Sequence, residues 1–406
     1  MRLGDVCTKI GSGATPRGAK EVYLDQGTAL IRSQNVYNDG FVRQGLVYIG
    51  DGHAKQLGNV TVEAGDVLLN ITGDSVARSC RAPASVLPAR VNQHVAIIRT
   101  DGDALDPRFL RFCLISPQMQ EQMLTFAAAG ATRKALTKEM IEDFEVPDIP
   151  IKQQRAIADV LSELEEKIAR NNRVTSILEQ LTKALFRATL VEFAKRDDLM
   201  PSEVGRIPLG WDVGTLNDVA EVQREVLSAA TASGEEPFLG LDDMPRGSTV
   251  LDKWGRRDEV SGDTVRFEPG DILFGKLRPY FKKVGVALVR GSCSTEILVI
   301  RPRSSAYYAL VLGHVSSQEF IDYCDAISSG TKMPRSEWSS ASEYPVAIPP
   351  ADVAEHLSRQ VKSSFEVIRR LVLQNRQLFE LRAALLPRLF SGDLTVRRAD
   401  ELEPVA

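Results

Sequence analysis

The sequence predicts an α+β fold with a pseudo-two-fold internal repeat: two mixed α/β domains separated by a long antiparallel helical coiled coil. Three observations carry this. Short segments of the first half return in the second half in the same order, a Pro-containing stop ends the mixed part of each half, and a long amphipathic stretch without glycine follows each stop. At 406 residues the chain is long enough for two or three full cores.

The repeat comes first because it sets the plan. Leu3-Gly4-Asp5-Val6 returns as Leu216-Asn217-Asp218-Val219, 213 residues on. Glu63-Ala64-Gly65-Asp66-Val67-Leu68 returns as Glu268-Pro269-Gly270-Asp271-Ile272-Leu273 at an offset of 205, and Val95-Ala96-Ile97-Ile98-Arg99 as Ile297-Leu298-Val299-Ile300-Arg301 at 202. Gly130-Ala131-Thr132-Arg133 faces Gly330-Thr331-Lys332-Met333 at 200, as Phe144-x-Val146 and Pro150 face Tyr344-x-Val346 and Pro350. A steadily falling offset is what loop insertions and deletions produce, and so long a period means two similar halves rather than a solenoid.

The predicted organisation is a mixed domain over 1–150, a helix over 151–199, a second mixed domain over 200–350, a helix over 351–395 and a flexible tail over 396–406. Short apolar runs bounded by Gly, Pro, Asn and Asp read as strands: Ala29–Ile31, Asp66–Leu69, Val95–Ile98, Asp271–Phe274 and Ile297–Ile300. The stops are Val146-Pro147-Asp148-Ile149-Pro150 and Val346-Ala347-Ile348-Pro349-Pro350.

After the stops the apolar period changes to alternating threes and fours, the pattern of a coiled-coil seam. In the first helix the seam runs Ile157, Leu161, Leu164, Ile168, Asn171 (or Asn172), Leu178, Leu181 and Leu185. In the second it runs Leu357, Val361, Phe365, Ile368, Leu371, Asn375, Leu378, Leu381 and Leu385. A helix of roughly 35–40 residues spans about 50–60 Å. A mid-seam Asn disfavours slipped registers. One such helix per half gives each an intramolecular partner, and antiparallel pairing is expected.

Composition excludes several classes. Apolar residues are 43% and charged residues 26% of the chain, so it is neither mostly disordered nor a membrane protein by composition. Lys plus Arg is 50 against Asp plus Glu 54, a net charge of −4, which excludes a uniformly basic DNA-coating protein but not local patches. Residues 1–150 carry 16 basic and 17 acidic side chains, and 201–350 carry 16 and 21. No apolar run reaches membrane-spanning length, and Met1-Arg2-Leu3-Gly4-Asp5 lacks a signal-peptide core, so a cytoplasmic protein without membrane contact is expected. Cys7, Cys80, Cys113, Cys293 and Cys324 form no C-x-x-C pair and read as reduced, partly buried thiols. His53, His94, His314 and His356 are scattered, so no metal site is expected.

Catalytic motifs are missing too. Gly13-Ala14-Thr15-Pro16-Arg17-Gly18 has the glycine spacing of a phosphate loop, but Ala19 stands where the Lys belongs and Lys20 comes one place late. There is no G-x-S-x-G, H-E-x-x-H, G-x-G-x-x-G or Asn-Pro-Pro-aromatic tetrapeptide. Glu165-Glu166-Lys167 resembles part of a nuclease carboxylate–lysine set but falls on the seam helix, where a solvated face is expected. No catalytic residue is assigned.

What remains is binding chemistry. Lys276-Leu277-Arg278-Pro279-Tyr280-Phe281-Lys282-Lys283 follows a strand and interleaves four cations with two aromatics, which suits phosphate and base contact. Phe281 has an even chance of being core instead. The corresponding loop of the first half carries Asn70, Thr72, Asp74, Ser75 and Arg78. Arg133 and Lys134 precede the first helix, and Lys332 and Arg335 the second; Arg256 and Arg257 follow Trp254. Gln34 and Asn35 carry the amide type that pairs with adenine in the major groove. Arg17, Lys20, Arg32 and Arg246 complete the DNA-contact candidates. For any single residue a solvated loop charge is at least as good a reading, the cluster at 276–283 being the exception.

Together these residues resemble the specificity subunit of a type I restriction–modification system, over nearly the whole chain. The telling motifs are Gly65-Asp66-Val67-Leu68 with Gly270-Asp271-Ile272-Leu273, Asn92-Gln93-His94-Val95-Ala96-Ile97-Ile98, Gly275-Lys276-Leu277-Arg278-Pro279-Tyr280 and Gly330-Thr331-Lys332-Met333-Pro334-Arg335. Gln153-Gln154-Arg155-Ala156-Ile157-Ala158, Leu381-Arg382-Ala383-Ala384-Leu385-Leu386-Pro387-Arg388-Leu389 and Ile207-Pro208-Leu209-Gly210-Trp211 add to them. The first half departs by lacking the Pro-x-Gly-Trp opening, and the second helix begins Asp352-Val353-Ala354-Glu355-His356 instead of Gln-Gln-Arg.

The resemblance implies that each mixed domain is a target-recognition domain for one half of a split, asymmetric sequence in double-stranded DNA. The helix pair then sets the gap and docks two methyltransferase subunits, and through them motor–nuclease restriction subunits. It implies no cofactor in this chain; S-adenosylmethionine, ATP and Mg²⁺ belong to the partners. Two rivals stay open: a coiled-coil protein–protein adaptor that reads no DNA, and a single-chain nuclease or methyltransferase with a hidden active site.

Overall fold

The computed structural model describes residues 1–128, 134–194, 196–228, 235–328 and 333–396, apart from the side chains of Ala19 and Lys20. The chain divides into two compact units, Met1–Ile168 with Gln377–Ala406, and Ala169–Arg376.

In the first unit an antiparallel sheet runs in the order Cys7–Ser12, Val95–Thr100, Val67–Asn70, Ser79–Arg81. A second sheet runs Val47–Ile49, Thr28–Ile31, Ala89–Val91, Thr61–Val62, with Thr28–Ile31 and Ala89–Val91 parallel. The central strands are buried over Val67–Asn70 and Val95–Ile98 because both faces are covered there. Successive side chains point to opposite faces. Val67, Leu69, Ala96 and Ile98 therefore join one core, with Phe109, Phe112 and Ile157. Leu68, Val95 and Ile97 join another, with Leu30, Ile31 and Val91. This is why these strands read as continuous apolar runs rather than alternating ones.

The second unit repeats the plan. Its antiparallel sheet runs Ala220–Gln223, Ile297–Pro302, Ile272–Gly275, Val284–Val286. Its other sheet runs Val226–Leu227, Thr264–Phe267, Gly291–Ser294, Pro237–Leu239, Gly255–Arg256, again with one parallel pair, Pro237–Leu239 beside Gly291–Ser294. Ile272, Phe274 and Ile300 face one core; Leu273, Ile297 and Val299 face the other. The Gly-Asp repeat proves to be a lock. Buried Asp66 takes both Arg99 Nε and Nη2, at 2.7 and 2.8 Å, and the Glu63 N–H at 2.7 Å. Asp271 does the same with Arg301, at 2.5 and 2.7 Å, and with the Glu268 N–H at 2.7 Å.

The long helices span Ile151–Phe186 and Ala351–Phe390. A π turn, Arg187–Val191, follows the first, and Leu199–Ser202 is already a strand, so that helix is shorter than the expected 151–199. Within each unit the two helices pair antiparallel. In the first unit Ile157, Ala158 and Leu161 share a core with Leu386 and Leu389. In the second, Phe186 shares one with Leu357, Val361 and Phe365, and Asn171 meets Asn375.

Five seam positions need correction. Leu181 and Leu381 are 48% and 46% exposed, and Thr182 takes the inward place beside the first; Leu185, Leu371 and Leu385 are half-buried while their neighbours Phe186, Val372 and Leu386 are buried. A straight helix drifts against a strict heptad, and the Leu at the expected place ends on the flank. Ile157, Leu161, Ile168, Asn171, Leu357, Val361, Phe365, Ile368 and Asn375 are buried; Leu164, Leu178 and Leu378 are partly so, and Leu381 is exposed. The expected tail lies outside the described residues from 397 onward. Among the described residues no helix is long and apolar enough to cross a membrane.

Candidate nucleic-acid interface

The loop after the third strand of each antiparallel sheet is built on one backbone frame. In the first unit the Asn70 N–H donates to the Arg78 carbonyl at 2.8 Å; in the second, Gly275 donates to Lys283 at 2.9 Å. Gly73 donates to Lys134 at 3.0 Å, and Arg278 to Pro334 at 2.8 Å. Leu136 donates to Ile71 at 2.9 Å, and Ser336 to Lys276 at 3.0 Å. The loops even bend alike: Gly73 and Ala77 have φ of 73° and 73°, and Arg278 and Lys282 have φ of 52° and 52°. Left-handed backbone at a non-glycine residue is costly. The second unit thus holds two cations at places that a glycine and an alanine fill in the first.

In the first unit Ser33, Gln34, Tyr37, Thr72, Asp74, Ser75, Arg78 and His94 line an open concavity of about 390 Å³. The Arg78 guanidinium stacks over the Tyr37 ring at 4.6 Å. Thr72 Oγ1 lies 2.6 Å from His94 Nδ1. Gln34 is exposed, with its amide resting on the Gly45 carbonyl at 3.1 Å. Arg32 donates to the same carbonyl at 2.5 Å and lies over Tyr23. Arg17 and Lys134 are exposed.

In the second unit three of the four cations of the dense run are held by neighbours, while Arg278 Nε is buried without a partner among the described residues. Lys276 lies 3.9 Å from Glu337, Lys282 donates to Gln318 at 3.4 Å, and Lys283 pairs with Asp242 at 3.7 Å. Arg335 pairs with Glu296 at 2.9 Å. Tyr280 is 50% exposed, and Phe281 carries Arg246 over its ring at 4.1 Å. Arg256 is exposed and grips Asp258 with two bonds, at 3.1 and 2.8 Å.

Three candidates are framework residues instead of groove readers. Asn35 is fully buried; its amide donates to the Val42 carbonyl at 2.9 Å and accepts from the Arg32 N–H at 3.1 Å. Asn70 is fully buried and ties its strand to the Ser33 carbonyl at 2.9 Å. Arg257 is 1% exposed and donates to the Val260 and Gly262 carbonyls, both at 2.7 Å. In each case a buried backbone group needed a partner, and the side chain supplies it. Glu165 is likewise not on a solvated face: Arg111 and Arg382 both donate to it. Arg133, Lys332 and the side chain of Lys20 lie outside the described residues.

Sequence reasoning missed Tyr37, His94 and Glu296 as site residues. The signal for the last two was available, because both stand immediately before the repeated strand Val95-Ala96-Ile97-Ile98 or Ile297-Leu298-Val299-Ile300. Burial pushes the Cys80 and Cys293 thiols up to about 12 and Cys324 to about 11, which keeps them protonated at neutral pH. Among the described residues no three His, Cys, Asp or Glu side chains gather where they would hold a metal ion.

A family model, the type I restriction modification DNA specificity domain, matches residues 1–180. The chain is 22% identical over 306 residues to the type I restriction enzyme MjaIX specificity subunit of Methanocaldococcus jannaschii, covering 70% of this chain and 68% of that one. It is 22% identical over 315 residues to the EcoDI specificity subunit of Escherichia coli, covering 68% of each. Against the HindI specificity subunit of Haemophilus influenzae it is 20% identical over 436 aligned positions, covering 90% and 94%. The crystal structure of the type I restriction-modification S subunit from M. genitalium shares the fold with a TM-score of 0.59 at 14% identity, covering 96% of this chain and 95% of that one.

Proposed function

Starting from the chain's membership of the specificity-subunit family of type I restriction–modification systems, we propose that it reads a bipartite, asymmetric target in double-stranded DNA. Residues 1–150 read one half and residues 200–350 the other. The helix pair sets the distance between the halves and docks two methyltransferase subunits, which in turn carry the motor–endonuclease subunits. The chain itself is non-catalytic and acts in the cytoplasm. S-adenosylmethionine, ATP and Mg²⁺ serve the partner subunits.

The observation that carries this reading is the shared loop frame. The same hydrogen bonds and the same left-handed positions recur at residues 70–78 and 275–283. What hangs on the frame differs: Gly73-Asp74-Ser75-Val76-Ala77-Arg78 in one unit, Arg278-Pro279-Tyr280-Phe281-Lys282-Lys283 in the other. A constant frame with changed side chains is what two readers of different sequences need, since base edges are told apart by donor and acceptor pattern. It also explains a net charge of −4 in a DNA-binding chain. Many of its cations are already paired with acids, so affinity is shared with the partners and this chain contributes selectivity.

The test is duplex-DNA binding by the chain assembled with its methyltransferase subunits, across a salt series. Lys276→Ala with Arg278→Ala should weaken binding and flatten the salt dependence by about one to two ions. An adaptor would show the same affinity for DNA before and after.

A further inference from the structure

The frame extends to one more pair of positions. The carbonyl of His94 accepts the Ile71 N–H at 3.0 Å, and the carbonyl of Glu296 accepts the Lys276 N–H at 3.0 Å. The two residues are 202 apart, the offset of the strands they introduce, so the fold places them at the same point beside the loop. Their side chains differ in hydrogen-bonding character: an imidazole donates as well as accepts, a carboxylate only accepts.

His94 lines the concavity of the first unit with Gln34, Tyr37 and Arg78. Its ring is fixed from two sides. Nδ1 is 2.6 Å from Thr72 Oγ1, and Nε2 is 3.2 Å from the Gln93 amide nitrogen. A half-exposed ring on two polar contacts is aimed, with no apolar core to hold it. Glu296 in the second unit is an acceptor only. Arg335 holds Oε1 at 2.9 Å, while Oε2 is sealed from solvent with no partner among the described residues. A carboxylate oxygen without a donor costs free energy unless something supplies one.

We propose that this repeat-equivalent position determines specificity in both units: His94 addresses an acceptor edge of a purine in one half-site, and Glu296 an exocyclic amino group, of cytosine by preference, in the other. This rests on the DNA-reading function proposed above. The chemistry follows from the edges. Guanine offers N7 and O6 as acceptors, which the His94 Nε2–H satisfies once the exposed Gln93 amide gives way. The N4 amino group of cytosine is a donor, which a carboxylate satisfies. Arg335, beside Glu296, is then free to move to a phosphate while the base takes its place on the carboxylate.

The experiment places the full chain, with its methyltransferase subunits, in cells and maps the methylated-adenine motif by sequencing. Three chains are compared: unaltered, His94→Asn and Glu296→Gln. Each variant should relax or change one base position in one half of the split motif, with about tenfold or more lost discrimination there. The two variants should act on opposite halves. Should E296Q fail to assemble, Glu296→Asp, which keeps the charge and shortens the reach, is read by the same criterion. A split motif in the unaltered chain that both variants reproduce base for base overturns this inference alone. An unaltered chain that yields no split motif overturns the DNA-reading function and this inference with it.

Discussion

Asn171 donates its side-chain amide to Asn375 Oδ1 at 2.8 Å, and Asn375 donates in turn to Asn172 Oδ1 at 2.7 Å. Asn171 also reaches Gln374 Oε1 at 2.9 Å. Both Asn171 and Asn375 are buried in a mainly apolar seam, at 2% and 6% exposure. Slipping the helices by a turn would bury these amides without partners, so the pair fixes the register.

Replacing one member should therefore cost more than replacing both. Asn375→Leu leaves the Asn171 amide buried without that partner and should lower stability by about 1–3 kcal/mol. The double change Asn171→Leu with Asn375→Leu should recover most of the loss while loosening register. Thermal melts of the three variants measure the coupling; strict additivity would contradict it.

The two Asp–Arg locks make a parallel case. Arg99→Ala leaves the Asp66 carboxylate, 1% exposed, with only the Glu63 N–H, at a cost of about 3–5 kcal/mol. Asp66→Ala should cost less, because Arg99 keeps Glu63 as an ion partner. Arg301→Ala should repeat the larger effect in the second unit. Urea unfolding ranks the variants.

His314 predicts acid sensitivity in the second unit. Its Nε2 is sealed without a partner among the described residues, the ring packs edge-on to Phe186, and burial pulls its pKa from 6.5 down to about 4. The unfolded ring therefore takes a proton first as pH falls. The stability it contributes by being neutral is whole above pH 6.5, is lost between 6.5 and 4, and changes no further below that. The span corresponds to about 3 kcal/mol. His314→Phe should flatten this part of the pH profile. An unchanged difference in unfolding midpoint between pH 7 and pH 4 would refute it.

Strain in the second loop predicts a trade of stability against binding. Arg278 sits at φ 52°, where the repeat-equivalent Gly73 sits at 73°. Arg278→Gly should raise stability by about 1 kcal/mol, since glycine carries no left-handed penalty. The same change should weaken DNA binding by the assembled complex. A rise in melting temperature with unchanged binding would show that the arginine is not there for DNA.

Much of this was legible in the sequence, and the exceptions have a common cause. The paired offsets located both copies of the antiparallel sheet, and the helical period located the two long helices and their mid-seam asparagines. Residue type alone did not separate Asn35, Asn70 and Arg257 from surface readers. Amides and guanidiniums that satisfy buried carbonyls look the same in sequence as those that face a groove. His94 and Glu296 stand immediately before the two copies of a repeated apolar strand, a position legible in the sequence; the shared bonds to Ile71 and Lys276 add which loop they serve. The Gly-Asp repeats, visible from the start, turned out to hold the sheet together.

Two units of one chain are proposed to read two halves of one target. Mapping methylated adenine across the genome of cells that carry this chain, and of cells from which it is deleted, tests it most directly. One split motif, with two unlike halves and a fixed gap, should be present in the first cells and gone from the second. Identical methylation in both would contradict it.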